Sequence, residues 1–194
     1  SDLSLGSVAL SCPFCSQMCL RADARMQNMR HNEQLAARLG SALAARGEVL
    51  ACAESCTGGG VAQAITAIAG SSAWFDRGFV TYSNAAKTEM LGVSTHTLEL
   101  HGAVSVATAR AMAQGAIAHS LAHWSLAITG IAGPGGGTVE KPVGMVCFAW
   151  AGRDGGCLAR TCQLGGSREE IRQQAIGIAL QGLLDCLQTL DVIV

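Results

Sequence analysis

The segment Ala53–Gly60, AESCTGGG, constrains this chain more than any other. It follows the apolar run Val49–Cys52 and precedes Val61, Ala62, Ala64, Ile65 and Ile68, which recur at helix-compatible spacing. The order predicts a buried strand, a glycine turn and a helix start. In such a unit a serine, Ser55, and several backbone N–H groups can face one small site. Helix N-termini carry unpaired N–H donors and a partial positive charge, so they favour anions, including the oxyanion of an acyl-transfer intermediate. Gly58 and Gly59 are therefore candidate oxyanion donors. Ser, Thr and Gly are equally ordinary helix caps, so the motif alone admits a nucleophile and a cap alike.

The rest of the chain alternates strands and helices. Leu35, Ala36, Leu39, Ala42 and Leu43 mark a helix ending at Gly47. Trp74–Tyr82 reads as extended, Asn84–Leu91 and Thr95–His101 as short helices. Ser105 caps a helix running to about Ala122, and Trp124–Thr129 is a short strand. Val143–Ala151 and Cys157–Leu164 flank Asp154-Gly155-Gly156, a hairpin turn. Ser167 and Glu170 form a capping box before a last helix with Ile171, Ala175, Ile178, Ala179 and Leu183 on its apolar face. The pattern predicts a single α/β domain, a three-layer α/β/α sandwich on a mixed, mostly parallel sheet. Such sheets bind ligands beyond the carboxyl ends of parallel strands. Ser55, the Tyr82–Lys87 segment and the loop after Thr129 all lie there. Residues 1–28 lack clear periodicity and read as an extension outside the fold, with the domain over 29–194.

Composition excludes several classes. The chain has 194 residues, 24 of them Gly and only 3 Pro, which suits a packed fold with tight turns. A net charge of −1, with no basic stripe, makes nucleic acid an unsuitable partner. No apolar run reaches membrane-spanning length. Nine cysteines in a chain of this size fit free thiols in a reducing cytoplasm better than a disulfide scaffold. Cys12, Cys15 and Cys19 have a redox- or metal-like spacing but lack a second ligand pair or a βαβ context. His119 and His123, four apart, lack an acidic third ligand, so no metal site is expected.

Two further segments carry chemistry. Tyr82-Ser83-Asn84-Ala85-Ala86-Lys87 spans a strand-to-helix junction. A lysine near a serine acts as a general base if burial lowers its pKa; otherwise it is a surface charge on a short helix. Tyr82 is the chain's single tyrosine. Thr129–Gly137, TGIAGPGGG, has glycines that let amides approach a ligand; Asn84, Gly130, Gly133 and Gly135 join the candidate substrate-binding residues. It matches neither a P-loop nor a dinucleotide fingerprint. Lys141 is the candidate for a phosphate, with Arg77, Arg110 and Arg168 left open. Cys56 is a rival nucleophile beside Ser55.

Taken together, AESCTGGG at 53–60, GSSAWFDRGFVTYSNAAK at 70–87, LGV at 91–93, HGAVS at 101–105 and TGIAGPGGG with KPVG at 129–144 resemble the C-terminal domain family of the competence/damage-inducible protein CinA, the nicotinamide-nucleotide amidases. The resemblance runs from about Asn32 to the C-terminus. It implies an α/β sandwich, self-association as a homodimer or higher homo-oligomer, and no cofactor or metal. It also implies deamidation of nicotinamide mononucleotide to nicotinic acid mononucleotide and ammonia, with Ser55 as nucleophile, Lys87 as base and Tyr82 alongside. Glu54 and Thr129 fall on positions linked to the same site. Glu54 is then expected either to balance the pyridinium charge or to pair with Lys87, and Lys87 to take the serine proton directly or through Tyr82. The rivals are a non-catalytic nucleotide- or partner-binding module and a metal-dependent hydrolase.

Overall fold

Helix α1 (Pro13–Arg46) opens the computed structural model, which describes residues 13–191. Residues 13–28 are thus helical and continuous with the helix that enters the fold. No glycine or proline interrupts the run from Phe14 to Leu39, so nothing stops the helix from extending back past the core. Buried side chains on α1 include Asn32, Leu35, Ala36, Leu39 and Leu43. Gly47, at φ 64°, ends it, with amides of Gly47 and Glu48 returning to the carbonyls of Ala44 and Leu43. Of the cysteine cluster, Cys12 lies outside the described residues, and Cys15 and Cys19 fall within the helical span of α1.

The remaining elements follow the expected order: β1 (Leu50–Glu54), α2 (Gly60–Thr66), a 3₁₀ turn (Ser71–Ala73), β2 (Phe75–Val80), α3 (Asn84–Leu91), α4 (Thr95–His101), α5 (Val106–Ala118), β3 (Trp124–Gly130), β4 (Met145–Gly152), β5 (Cys157–Gln163) and α6 (Arg168–Asp191). The sheet order is β2-β1-β3-β4-β5. Strands β2, β1 and β3 are parallel neighbours; β4 runs against both β3 and β5. The sheet is therefore mixed, with four strands pointing one way and only β4 the other.

Strand alternation sorts side chains between two layers. Leu50, Cys52, Leu126, Ile128, Val146, Phe148 and Trp150 face α1, α2 and α6. Ala51, Ala53, Ala127, Cys147, Ala149 and Ala151 face α3, α4 and α5. Small residues on the second face let α5 lie close to the sheet, where Ser125 Oγ donates to the carbonyl of Ala113 at 2.7 Å. Helix α5 also crosses α3 tightly: a Cβ on Gly115 would collide with the carbonyl of Leu91. The parallel strands end side by side, with Glu54 opposite Val80 on one flank and Ile128 on the other. Everything that follows β1, β2 and β3 is thereby delivered to one edge.

Candidate active site

Glu54 ends β1 and continues the parity of Leu50 and Cys52, so its side chain turns toward α2. It is fully buried. Its Oε2 accepts from the Thr57 hydroxyl at 2.7 Å and from the amides of Gly59 at 3.1 Å and Val61 at 3.0 Å. Its Oε1 accepts from the Ala62 amide at 2.9 Å. A carboxylate thus occupies the first turn of α2 from inside the protein, where unpaired amides and the helix dipole favour it. Gly58 and Gly59, with φ of 60° and 93°, let the chain wrap around it. Glu54→Gln would set an amide NH₂ against some of these donors. It is expected to cost about 2–4 kcal/mol. Thermal unfolding should show it as a Tm lowered by about 5–15 °C.

Ser55 has the opposite parity and faces the α3 side. Its amide donates to the Ile128 carbonyl at 3.0 Å, which fixes the backbone beneath it. Lys87 comes from the first turns of α3, which Ser83 caps by accepting from the Ala86 amide. Helical side chains lean toward the N-terminus of their helix. Lys87 therefore reaches back to the β2–α3 junction, where Nζ donates to the Thr81 carbonyl at 2.8 Å and lies 3.2 Å from Ser55 Oγ. Thr81 is itself tied to β1: its amide donates to the Glu54 carbonyl at 2.8 Å. Serine and lysine are thus carried by two strand ends hydrogen-bonded to each other.

Lys87 is only 1% exposed. Burial holds its pKa below the ordinary 10.5, against a small opposing influence of the neighbouring Cys56. A neutral amine fits this setting well: one N–H satisfies the Thr81 carbonyl and the lone pair faces the serine hydroxyl.

Above this pair lies a cavity of about 280 Å³. Ser55, Cys56, Tyr82, Asn84 and Lys87 line one part of it; Ala103, Val104, Thr129 and the loop from Gly130 to Gly136 line the rest, with Arg168. Thr129 is buried, and its hydroxyl donates to the Ala103 carbonyl at 2.7 Å, holding that segment against β3. Arg168, the first residue of α6, donates to the Gly133 carbonyl and to the Tyr82 hydroxyl, each at 2.8 Å.

The model of the CinA C-terminal domain matches residues 32–187. The chain belongs to the CinA C-terminal domain family. The match begins within α1, at the buried Asn32. A relative from Enterobacter agglomerans named nicotinamide-nucleotide amidohydrolase PncC is 55% identical over 151 residues, 78% of this chain and 92% of the relative. A protein of the same name from Escherichia coli (strain K12) is 53% identical over 150 residues, 77% of this chain and 91% of the relative. Among solved structures, the competence/damage inducible protein CihA from Agrobacterium tumefaciens matches with a TM-score of 0.79 at 50% identity, covering 81% of this chain and 96% of that one.

Within this CinA-type fold, several sequence expectations change. Gly58 and Gly59, expected to hold an oxyanion, are not among the cavity-lining residues: the Gly58 amide goes to the Ser55 carbonyl at 3.0 Å, and that of Gly59 to Glu54. Glu54 neither pairs with Lys87 nor lines the cavity, because strand parity sends it to the α2 layer. Tyr82 is 61% exposed, with its hydroxyl accepting from Arg168, so it stands at the rim and not between lysine and serine. Lys141 is not among the cavity-lining residues; its ammonium donates to the His101 carbonyl at 2.6 Å. Asn84, Gly130, Gly133 and Gly135 do line the cavity. Among the open arginines only Arg168 reaches it; Arg77 bonds Asp76 and the His119 carbonyl, and Arg110 the Cys157 carbonyl. The capping box marked Arg168 as the start of a helix, and both its bonds are present between Ser167 and Glu170. Nothing local said what that helix end would face.

Cys56 is buried in the cavity wall, and burial pushes its thiol up to about 11. It stays protonated near neutrality and is a poor rival to Ser55. His119 and His123 do not share a helix face: α5 ends at Ala118, and His123 Nδ1 accepts from the Val49 amide at 3.0 Å. Among the described residues, no helix is long and apolar enough to cross a membrane, and no cluster of His, Cys, Asp or Glu is placed to hold a metal.

Proposed function

We propose that this chain hydrolyses the carboxamide of nicotinamide mononucleotide, giving nicotinic acid mononucleotide and ammonia, as a step in pyridine nucleotide recycling. The observation that carries the reading is the buried Lys87 amine 3.2 Å from the Ser55 hydroxyl on the cavity floor. The names of the relatives at 53–55% identity support the substrate. A binding module has no need of a lysine buried against a serine at a desolvation cost.

Lys87, neutral, takes the Ser55 proton as Oγ bonds to the carboxamide carbon. The pyridinium charge draws electrons from that carbon and makes it a better electrophile. The oxyanion is received by the Cys56 amide, which donates to no other residue among those described; one such donor is typically worth about 3 kcal/mol. The Lys87 ammonium returns the proton to the amide nitrogen, the C–N bond breaks and ammonia leaves. Water, deprotonated by the same amine, hydrolyses the ester and regenerates Ser55. Arg168 offers the cationic end of the cavity to the phosphate, a role that Lys141 does not fill. Thr129 holds the Ala103 wall, and Tyr82 aligns Arg168. The same reading includes a homo-oligomer in the cytoplasm.

The test is ammonia release from nicotinamide mononucleotide by the purified chain, with the product identified by chromatography. Ammonia and the acid mononucleotide are expected in equal amounts, undiminished by exhaustive chelation. Binding without ammonia release would favour the module; loss on chelation would favour a metal-dependent hydrolase.

A further inference from the structure

We infer that Lys141 is a positioning residue that latches the glycine loop to the segment after α4; only its kinetic consequences rest on the amidase reading. The loop leaves β3 and returns to β4, and its base is closed by two bonds, Ile131 amide to Met145 carbonyl at 3.0 Å and Gly144 amide to Ile131 carbonyl at 2.7 Å. Its tip is a small self-bonded turn. The Thr138 amide donates to the Lys141 carbonyl at 2.9 Å, and the Lys141 amide to Thr138 Oγ1 at 3.0 Å. From that turn the Lys141 ammonium crosses to the carbonyl of His101, the last residue of α4. Terminal helix carbonyls lack partners within the helix, and lysine is a natural donor to them.

The anchor is itself rigid. Thr108 Oγ1 donates to the Gly102 carbonyl and Thr129 Oγ1 to that of Ala103, each at 2.7 Å. Gly102, at φ 75°, also leaves room for the ammonium: a Cβ there would lie 2.9 Å from Lys141 Nζ. Between base and tip the loop reads Gly-Pro-Gly-Gly-Gly, and the three glycines after Pro134 have little conformational restraint of their own. Arg168 holds its first glycine, Gly133. Beyond that point, Lys141 joins the tip to the end of α4, and Gln163 Nε2 donates to the Val143 carbonyl at 2.7 Å on the returning arm. Cavity-lining Ala103 and Val104 follow the anchor, and cavity-lining Gly135 and Gly136 precede the latch, so this bond ties the two walls together directly. The Ser55–Lys87 distance is set elsewhere, by the β1–β2 junction. Loss of the latch should therefore weaken substrate binding and spare the chemical step.

The experiment compares amide hydrogen exchange and steady-state kinetics for the full chain, Lys141→Met and Lys141→Arg. In Lys141→Met, the amides of Thr138 and residue 141 should exchange at least about tenfold faster, with the sheet unchanged and Tm within a few degrees. KM for nicotinamide mononucleotide should rise about tenfold with kcat within threefold, and arginine should restore both readings. Unchanged exchange over 131–144, or a fall in kcat at constant KM, would overturn the latch. If the wild type releases no ammonia, the amidase reading fails while exchange still decides the role of Lys141.

Discussion

Ser55→Ala is expected to lower kcat for ammonia release by about 10⁴- to 10⁶-fold while KM stays within a few-fold. That is a loss of roughly 5–8 kcal/mol in the barrier. The size follows from the route: without the hydroxyl there is no ester, and water must attack a resonance-stabilised amide directly. The fold has little reason to respond. The bond that places residue 55 is made by its backbone amide to Ile128, and alanine keeps it. Cys56→Ala is the control. With its thiol pushed up to about 11 by burial, only about one molecule in ten thousand carries a thiolate at pH 7, so its removal should change kcat less than threefold. Acid quenching of the wild type during turnover, followed by peptide mass analysis, should find the acyl group on the peptide containing Ser55. Activity within tenfold of wild type in Ser55→Ala, or an adduct on Cys56, would remove the serine from the mechanism.

The parts of this site that were legible in the chain are those set by local rules. An apolar run followed by CTGGG predicts a strand end and helix start because glycine alone accepts the positive φ at 58 and 59. Ser83 before Asn84 predicts a helix start, and the backward lean of helical side chains then brings Lys87 toward the strand ends. Glu54 was within reach of the same logic. Counting by twos from Leu50 puts Cys52 and Glu54 in one layer and Ala53 and Ser55 in the other, so the carboxylate and the hydroxyl of adjacent residues part company. The carboxylate then takes the Gly59 amide, while those of Gly58 and Gly60 close on the carbonyls of Ser55 and Thr57. Arg168 and Lys141 were not legible. Each is an ordinary exposed cation by sequence, and its role depends on which loop the start of α6 or the end of α4 meets in space. Charge and glycine content suggested Lys141 for the phosphate; packing gives the cavity to Arg168 instead. The stretch from Arg25 to His31 shows the converse: its side chains are mostly exposed, yet good helix formers carry the helix through it, because nothing there breaks it.

Lys87→Met should lower kcat by about 10²- to 10⁴-fold, the usual yield of a positioned base, and it should erase the pH dependence as well as the rate. In the wild type the active form is the neutral amine, so kcat/KM should climb with pH and level off below 10.5, since burial lowers the folded-state pKa. The residual activity of Lys87→Met should be flat over that limb. Lys87→Arg should be as inactive as the methionine variant, because a guanidinium does not give up its proton in this range. The double variant with Ser55→Ala should be no worse than Ser55→Ala alone, since base and nucleophile act as one unit. Stability gives an independent reading of the same proton. Between the lowered folded-state pKa and 10.5 the unfolded chain holds a proton that the native lysine has released, so wild-type stability rises with pH through that window. Below the window both states are protonated, and the native state carries the full cost of a buried ammonium. The methionine variant lacks this contribution. Losing the donor to the Thr81 carbonyl shifts its stability by a constant and leaves the slope untouched. Measured by denaturant unfolding from pH 7 to 10, the wild type should therefore gain on Lys87→Met as pH rises, by about 1.4 kcal/mol for each unit of pKa depression. A difference that stays level or shrinks over that range would mean that Lys87 keeps its proton to its ordinary pKa, and the serine would have no base.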